Sequence, residues 1–304
     1  MAQNADTTPH DSHGAFWRDP LPVLFVVLWS TGFIGSKLGA PYSEPFTFLG
    51  VRFALAAVLM IGIGLAFRIE WPNTPRRIFH AVVVGLLIHG TYLGGVFWAI
   101  DNGLPAGISA LIVSLQPLVT GMAAGPLLGE KVSLRQWLGL ILGFIGVAMV
   151  IGQKLDFGAG SELGDGAGFI ACFIGMLAIA GGALYQKRFC AGENLRGHQA
   201  IQLTAAAALM GVLSFSLETQ ELSWTPEFIF ALAWLVCIMS IGTFTLLYVL
   251  IRRGAASQVA SLFYLVPPVT AVMAYFLFDE TLGPLALAGM GITVAGVALA
   301  TRQK

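Results

Sequence analysis

The sequence predicts an all-α membrane protein of ten transmembrane helices, arranged as two inverted five-helix repeats. Three observations lead to this fold class: an apolar composition, ten apolar stretches of spanning length, and similarity between the two halves. Hydrophobic residues make up 57% of the 304 residues, and the mean hydropathy is +0.80. Charged residues make up 11%, against about 25% in an ordinary soluble domain. A soluble fold of this length could not bury so much apolar surface, so the composition indicates burial in a lipid bilayer.

Charge and cysteine usage exclude several other classes of protein. The 16 basic and 16 acidic side chains give a formal net charge of zero, so no nucleic-acid partner is expected. Cys172, Cys190 and Cys237 are too widely spaced for a disulfide framework or a thiolate metal site. The histidines have no metal-ligand spacing, and no P-loop or hydrolase motif is present in the sequence. We therefore expect no metal, no cofactor and no enzyme, with a membrane-embedded enzyme as a minor alternative.

Ten apolar stretches alternate with short polar links, and each is long enough to cross about 30 Å of hydrocarbon. The polar first twenty residues lack the pattern of a cleaved signal peptide. The predicted spans are 22–39, 45–67, 79–100, 105–128, 134–152, 166–186, 199–217, 227–251, 255–278 and 284–300.

The distribution of Lys and Arg predicts the orientation of these spans. With a cytoplasmic N-terminus, 13 of the 16 basic residues fall in inside segments, and only Lys37 and Lys154 fall in outside links. Arg52 lies within a span. Because cytoplasmic links carry the excess of Lys and Arg, we expect a multi-pass protein of the inner (plasma) membrane with both termini in the cytoplasm.

An internal repeat is visible when the chain is compared with itself at an offset of 150 residues. Residues 105–154 align without a gap with residues 255–304, and fifteen of the fifty positions match, including Glu130 with Glu280. The predicted halves are 1–154 and 155–304, within one membrane domain. Each half holds five spans, an odd number, so the second half enters the membrane from the opposite side. Inverted repeats of this kind are typical of secondary transporters, whose substrate site lies near the membrane midplane.

Several short motifs stand in the first half of the chain. They are the run from Trp29 to Lys37, the run from Arg52 to Ala57, Pro117, Leu128 to Glu130, Gln136 to Gly139, and Gly143 to Gly146. Together these motifs resemble those of the EamA-type drug/metabolite transporter superfamily, and most of all those of its bacterial aromatic amino-acid exporters. The resemblance covers nearly the whole chain, although Ile179 stands at the position that pairs with Trp29. It implies ten helices, a central cavity open to one side at a time, and export of amino acids or similar metabolites.

Proline and polar residues interrupt the fourth and ninth spans at corresponding positions. Irregular backbone at membrane depth is tolerated only where it is buried in protein or lines water, so both segments are expected to border the substrate cavity. The alternative is a proline kink that faces lipid. The predicted substrate-binding residues here are Ser114, Gln116 and Tyr264, and the predicted gating or structural residues are Pro117, Pro267 and Pro268.

The third span adds three further candidates for substrate binding. His89 and Tyr92 are three residues apart and so share one face of a helix. Trp98 lies two turns further along, where a place in the aromatic belt at the membrane surface is an equal alternative.

In the eighth span Tyr248 is a substrate-binding candidate that can share a stripe with Ser240 and Thr243. For those two hydroxyls, hydrogen bonds back to their own helix are the favoured interpretation.

Arg52 and Lys37 are predicted to have gating or structural roles. Arg52 lies well inside the second span, where an unpaired charge is costly, so it should face the protein interior and find a partner. Asp101 is the first candidate for that partner. Snorkelling of the side chain to the outer interface is the alternative for both cations.

The expected function is export of a small molecule by alternating access. The tyrosine and histidine candidates suit aromatic or other neutral amino acids, and a gradient of the substrate itself is the expected driving force, since no Asp or Glu lies clearly inside a span. Proton coupling through His89, with drugs or nucleosides as cargo, is the alternative, and a passive channel is a third class. The small-residue faces of the fifth and tenth spans are expected to form supports or the seam of a homodimer.

Overall fold

The protein is described by a computed structural model, which covers residues 19–104, 106–152, 166–278 and 283–301. Within those ranges the chain is helical, apart from turns, short extended links and one isolated bridge between Ser43 and Leu222. The helices are α1 (Leu21–Gly39), α2 (Pro45–Ala66), α3 (Pro75–Asp101), α4 (Ala106–Val113), α5 (Gln116–Leu128), α6 (Leu134–Gly152), α7 (Gly166–Phe189), α8 (Leu195–Leu217), α9 (Pro226–Arg253), α10 (Ala256–Ser261), α11 (Val266–Phe278) and α12 (Pro284–Thr301).

Eight helices in the described ranges are long and apolar enough to cross a membrane, which confirms a multi-pass membrane protein. These are α1 with the turn that follows it, α2, α3, α7, α8, α9, the continuous segment of α10 and α11, and α12. The two other predicted spans are shorter: the fourth is divided into α4 and α5, and the apolar part of the fifth is Leu134–Val150. The count of ten spans, the orientation of the termini and the boundary between 154 and 155 stay predictions; that boundary lies outside the described residues.

Helix ends follow from local chemistry. Proline, which lacks an N–H and has a fixed φ, stands at the first position of α2, α3, α9 and α12. The Thr225 hydroxyl accepts a hydrogen bond from the Phe228 N–H at 3.2 Å and so caps α9, while the Asn194 side chain caps α8 in the same way. At the other end of α5, Gly129 adopts φ 71°, the left-handed conformation that glycine allows.

The outer surface of the helix bundle is apolar. Phe215, Phe276 and Val58 are among its most exposed side chains, at 81%, 76% and 69%. Polar side chains such as Arg52 and His89 are instead buried among the helices. This distribution is the one expected when the surroundings are hydrocarbon, because lipid tails solvate apolar side chains and exclude charge.

Helices of the first half pack mainly on helices of the second: α2 on α8, α3 on α7, and α6 on α12. The α6–α12 contact is the closest, because a Cβ added at Gly139 would meet the backbone of Gly296 and Ala300. Such surfaces let two helix backbones approach closely. These small-residue faces therefore contact each other within one chain, as expected for supports, and the homodimer stays a prediction.

Four irregular segments interrupt the helices, and they form two pairs at the offset of 150 residues. A π-helical segment at Gly85–Thr91 in α3 corresponds to another at Leu235–Thr243 in α9. The break between α4 and α5 falls at Ser114 and Leu115, and its counterpart is the 3-10 segment Leu262–Leu265 between α10 and α11. The interruptions predicted at the two proline sites are present, whereas the π-helical pair was not predicted.

Candidate functional site

The π-helical segment of α9 is held by side chains from α8. The Gln199 amide Nε2 donates to the backbone carbonyls of Ser240 at 2.7 Å and Ile241 at 3.3 Å, and the Thr245 hydroxyl donates to Gln199 Oε1 at 2.6 Å. The Thr243 hydroxyl donates to the Ile238 carbonyl at 2.9 Å, as expected for a hydroxyl bonded to its own helix. Because a π-helical turn frees backbone carbonyls, these donors stabilise an irregular backbone at mid-membrane depth.

Arg52 of α2 points into the protein and is only 2% exposed. Its Nε–H donates to the Ser240 hydroxyl at 3.0 Å, and its guanidinium carbon lies 5.5 Å from the centre of the Phe53 ring. Asp101 is exposed at the end of α3, and Arg52 pairs with no carboxylate in the described ranges. Both earlier expectations, an ion pair with Asp101 and snorkelling, are therefore wrong. The favoured hydrogen bond of Ser240 to its own helix is not present among the described residues; its hydroxyl accepts from Arg52.

His89 lies in the π-helical segment of α3 and is fully buried. Its Nε2 is 3.2 Å from the Tyr248 hydroxyl of α9, and its Nδ1 has no hydrogen-bond partner in the described part of the chain. His89 and the buried Tyr92 both lie within electrostatic range of Arg52. We call Arg52, Ser240, His89, Tyr92 and Tyr248 the central cluster; three of them, His89, Tyr92 and Tyr248, are predicted binding residues.

A row of rings extends from the central cluster through the protein. Ring centres are separated by 5.6 Å between Phe53 and His89, 4.2 Å between His89 and Phe244, 5.0 Å between Phe244 and Trp29, and 4.9 Å between Trp29 and Phe263. We call these five side chains the aromatic row. Apart from His89, sequence reasoning did not assign them to the site, because a buried Phe has the same pattern in a core as in a binding wall.

Beside the end of the aromatic row at Phe263 lies a cavity of about 10 Å³, which is about the space that one water needs. Gln116, Ile88 and Leu247 also line it. The Gln116 amide donates to the Thr120 hydroxyl at 3.3 Å, while its Oε1 has no partner within the described ranges. An amino acid does not fit this cavity.

The other predicted substrate-binding residues lie at different places. Ser114 is buried at the break between α4 and α5. The ring of Tyr264 packs against Gly143 of α6, away from the central cluster, and its hydroxyl is unpaired among the described residues. Trp98 is half-buried in the last turn of α3, where its carbonyl accepts from Asn102.

The predicted gating residues are placed only in part. Pro117 and Pro268 are buried, and Pro267 is half-buried beside the 3-10 segment. The backbone of Lys37 lies in α1, whereas its side chain is outside the described part.

One end of the bundle is closed by an ion pair that the prediction did not include. Lys187 Nζ lies 2.6 Å from Glu130 Oε1, and it donates to the Gly254 carbonyl at 2.6 Å. Glu130 also accepts from the Ala256 N–H at 3.0 Å, at the start of α10. This Glu130 link joins the ends of α5, α7, α9 and α10. The internal repeat is the sequence feature that marks these two residues, because it aligns Lys187 with Lys37 and Glu130 with Glu280.

The opposite end is closed by two carboxylates that bind each other's segments. Glu218 accepts from the N–H groups of Phe46 and Thr47, each at 2.7 Å, in the first turn of α2. Glu44 accepts from the N–H groups of Thr219 and Glu221, each at 3.1 Å. The hydrogen bond from the Thr219 backbone is the main reason why the pKa of Glu44 lies below its usual range. We call this arrangement the Glu44 link.

A larger depression of about 560 Å³ lies on the surface between α3 and α8. Val82, Leu86 and Ile201 are typical of its lining, and the Thr204 hydroxyl at its edge is bonded to the Ala200 carbonyl. Thr204 provides the one hydroxyl among the residues that line this groove, which therefore lacks the several convergent polar groups of a small-molecule site.

Comparison with known proteins gives a family match over both halves. The model of the EamA-like transporter family matches residues 18–152 and 166–302. The chain is 27% identical to the uncharacterized transporter YvbV of Bacillus subtilis, over 92% of this chain and 90% of that protein. It is 27% identical to the uncharacterized inner membrane transporter YedA of Escherichia coli K12, over 91% and 88%.

A probable amino-acid metabolite efflux pump of Salmonella typhimurium is 26% identical, over 91% of this chain and 92% of that protein. One solved crystal structure superimposes with a TM-score of 0.78 at 20% identity, over 92% of this chain and 95% of its own. That structure supports the fold. The relatives carry the names of transporters, and none of these three is named as an enzyme.

Proposed function

Because the chain belongs to the EamA-like transporter family, we propose that this membrane transporter exports small metabolites, in the first place aromatic or other neutral amino acids, by alternating access. One observation carries the proposal: the central cluster is a buried polar site made by both halves, with a link at each end of the bundle. A transporter of this type needs such a site, which is sealed from at least one side at a time.

The aromatic row supports an amino acid with an apolar or aromatic side chain as the cargo. Ring contacts favour such a side chain, and the polar groups of Arg52, His89 and Tyr248 provide the handles for its charged end. The name of the Salmonella relative, a probable amino-acid metabolite efflux pump, points in the same direction.

A gradient of the substrate is the proposed driving force. The described Asp and Glu residues lie at or beyond helix ends, so His89 is the one buried proton site in the central cluster. The competing mechanism is proton-coupled export through His89, with drugs or nucleosides as cargo.

The test is uptake by purified protein in sealed liposomes, measured for a panel of amino acids, nucleosides and cationic dyes. We expect saturable uptake of aromatic and neutral amino acids, without accumulation driven by a pH gradient alone. His89→Gln keeps hydrogen-bonding capacity but removes titration, and it should retain concentration-driven flux. Accumulation that a pH gradient drives and His89→Gln abolishes would show proton coupling instead. Turnover of a substrate in detergent would indicate an enzyme, and flux that does not saturate would indicate a channel.

A further inference from the structure

The guanidinium of Arg52 is a buried charge with unused hydrogen-bond donors. It lies seven residues after Pro45 in α2, about 10 Å along the helix axis at a rise of about 1.5 Å per residue. Of its N–H donors, only Nε–H makes a hydrogen bond within the part of the chain that the structure describes. A buried cation without a counterion is costly, and it is retained where it has a function.

The nearest described carboxylates do not provide that counterion. Glu44 and Glu218 are both engaged with backbone N–H groups in the Glu44 link. Asp101 is exposed at the end of α3. The hydroxyl of Ser240 is neutral and leaves the two terminal nitrogens of Arg52 free. An anion from outside the protein is therefore the group that completes this site.

We propose that Arg52 binds the carboxylate of the transported molecule, an inference that rests on the proposed function and specifies its substrate class. A guanidinium binds a carboxylate through two parallel hydrogen bonds, which its terminal nitrogens can donate while Nε stays on Ser240. Phe53 stacks near Arg52 and begins the aromatic row, so a carboxylate held at Arg52 places an attached ring or aliphatic group along that row.

This placement favours molecules in which a carboxylate adjoins an apolar group, and it disfavours cations. A cationic drug would bring a second positive charge to a buried guanidinium, which costs free energy in a low-dielectric interior. The position of Ser240 in the π-helical segment of α9 also connects the bound carboxylate to an element of the second half.

The test compares three probes that differ only at the charged end: phenylalanine, phenylalaninamide and phenethylamine. Their competition against uptake of labelled phenylalanine is measured for purified protein in liposomes, and their binding is measured in detergent. For the unmodified protein we expect the acid to bind roughly ten-fold or more tightly than the amide, the range for hydrogen bonds to a charged group. Arg52→Gln should abolish this preference, and Arg52→Lys should keep part of it.

A purely structural Arg52 would lower binding of acid and amide alike, so an unchanged ratio in Arg52→Gln overturns the inference. An unmodified protein without any preference for the acid also overturns it. If Arg52→Gln fails to fold, the Arg52→Lys variant and the acid-to-amide ratio of the unmodified protein still decide. Chloride is the other anion source, and it would compete with the acid for Arg52. Replacing chloride by methanesulfonate should therefore keep or strengthen the preference for the acid. Chloride binding that depends on Arg52 but does not respond to phenylalanine would assign the site to a free ion and overturn the substrate assignment.

If the proposed amino-acid export is wrong, the same assays give a different result from the one expected when only the role of Arg52 is wrong. If the unmodified protein neither carries nor binds any amino acid, 3-phenylpropanoate, which lacks the amine, is tested in the same assays. Binding of this acid that depends on Arg52 would support the carboxylate site while rejecting amino acids as cargo. Absence of binding would overturn both proposals.

Discussion

Glu44 contributes most to the Glu44 link while its carboxylate is ionised, because hydrogen bonds to a charged acceptor are the stronger ones. The ionised form accepts hydrogen bonds from the backbone of Thr219 and Glu221, and these bonds keep the pKa of Glu44 below its usual range. A group whose pKa is lower in the folded state stabilises the protein above its ordinary pKa. That stabilisation is lost as the pH falls through the lowered value.

The first prediction follows from the direction of this pKa shift. Between about pH 5 and pH 3 the thermal stability of the purified protein should fall more steeply than that of Glu44→Gln, because the variant has no carboxylate to protonate. Thermal unfolding followed by intrinsic fluorescence measures the difference. Glu70→Gln, at an exposed position beyond α2, is the matched control and should behave like the unmodified protein. Equal pH dependence in Glu44→Gln and the unmodified protein would show that the Glu44 link does not contribute.

The side chains of the central cluster show which contacts could not be predicted from the sequence. The depth of Arg52 in an apolar span indicated that it needs a buried partner. The identity of that partner could not be predicted from the sequence. Ser240 accepts from Arg52 within a π-helical segment of α9, and no residue type specifies such a segment. For Thr243 the ordinary helical hydrogen bond was the right expectation.

At the scale of the elements, α6 and α12 depend on glycine for their close approach. A Cβ at Gly139 would overlap the backbone of Ala300 and Gly296, atoms that cannot move without separating the helices. Gly62 of α2 has open space on its exposed face.

The second prediction compares these two glycines. Gly139→Ala should destabilise the protein by about 1–3 kcal/mol through overpacking, while Gly62→Ala should be neutral or stabilising by up to about 1 kcal/mol, because alanine favours helix. Unfolding free energies in detergent provide the measurement. Similar values for both variants would mean that the α6–α12 contact is not tightly packed.

We propose that the irregular segments that pair at an offset of 150 residues bend during transport. Pro117 adjoins the break between α4 and α5, and Pro267 adjoins the 3-10 segment before α11. Proline removes a backbone donor and so maintains an interruption that the flanking helices could otherwise close.

The third prediction is that Pro117→Ala and Pro267→Ala change the transport rate far more than the protein level. Pro126 is an exposed proline inside α5, away from either break, and Pro126→Ala is the matched control that should keep the rate. Uptake per mole of purified protein in liposomes is the measurement. Rates equal to that of the unmodified protein in both break variants would exclude these breaks as moving parts.

Local sequence signals determine which helices could be predicted. Long apolar runs and proline at helix starts are local signals, so the helices could be placed from the sequence. The proline interruptions were visible because two halves repeat them. The π-helical segments were not visible, since Gln199 and Thr245, which stabilise the segment in α9, contact it from other turns and helices of the bundle.

For the whole molecule, the two links join helix ends at opposite ends of the bundle. The Glu130 link joins the ends of four helices, and Cys190, three residues after Lys187, is fully buried at the same end. Burial raises the pKa of the Cys190 thiol to about 12, so the closed end holds it in the unreactive protonated form.

The fourth prediction uses Cys190 as a reporter of opening at that end. In a Cys237→Ala background, Lys187→Gln should raise the rate of maleimide labelling of Cys190 several-fold, because exposure to water returns the thiol toward its ordinary pKa of about 8.5. Arg188→Gln removes an exposed neighbouring charge and should leave the rate unchanged. Mass spectrometry identifies the labelled residue. Equal labelling in Lys187→Gln and Arg188→Gln would mean that the Glu130 link does not hold this end closed.

The central claim is that the closed cluster between the two halves carries a neutral amino acid across the membrane. Its most direct test is uptake of labelled phenylalanine by liposomes that contain the purified protein, with and without unlabelled phenylalanine inside. The binding site of an alternating-access transporter returns to the outer side faster when it carries substrate from the inside. We therefore predict saturable uptake of labelled phenylalanine that unlabelled phenylalanine inside the liposomes accelerates. Uptake that is absent, or that neither saturates nor responds to internal phenylalanine, would contradict the claim.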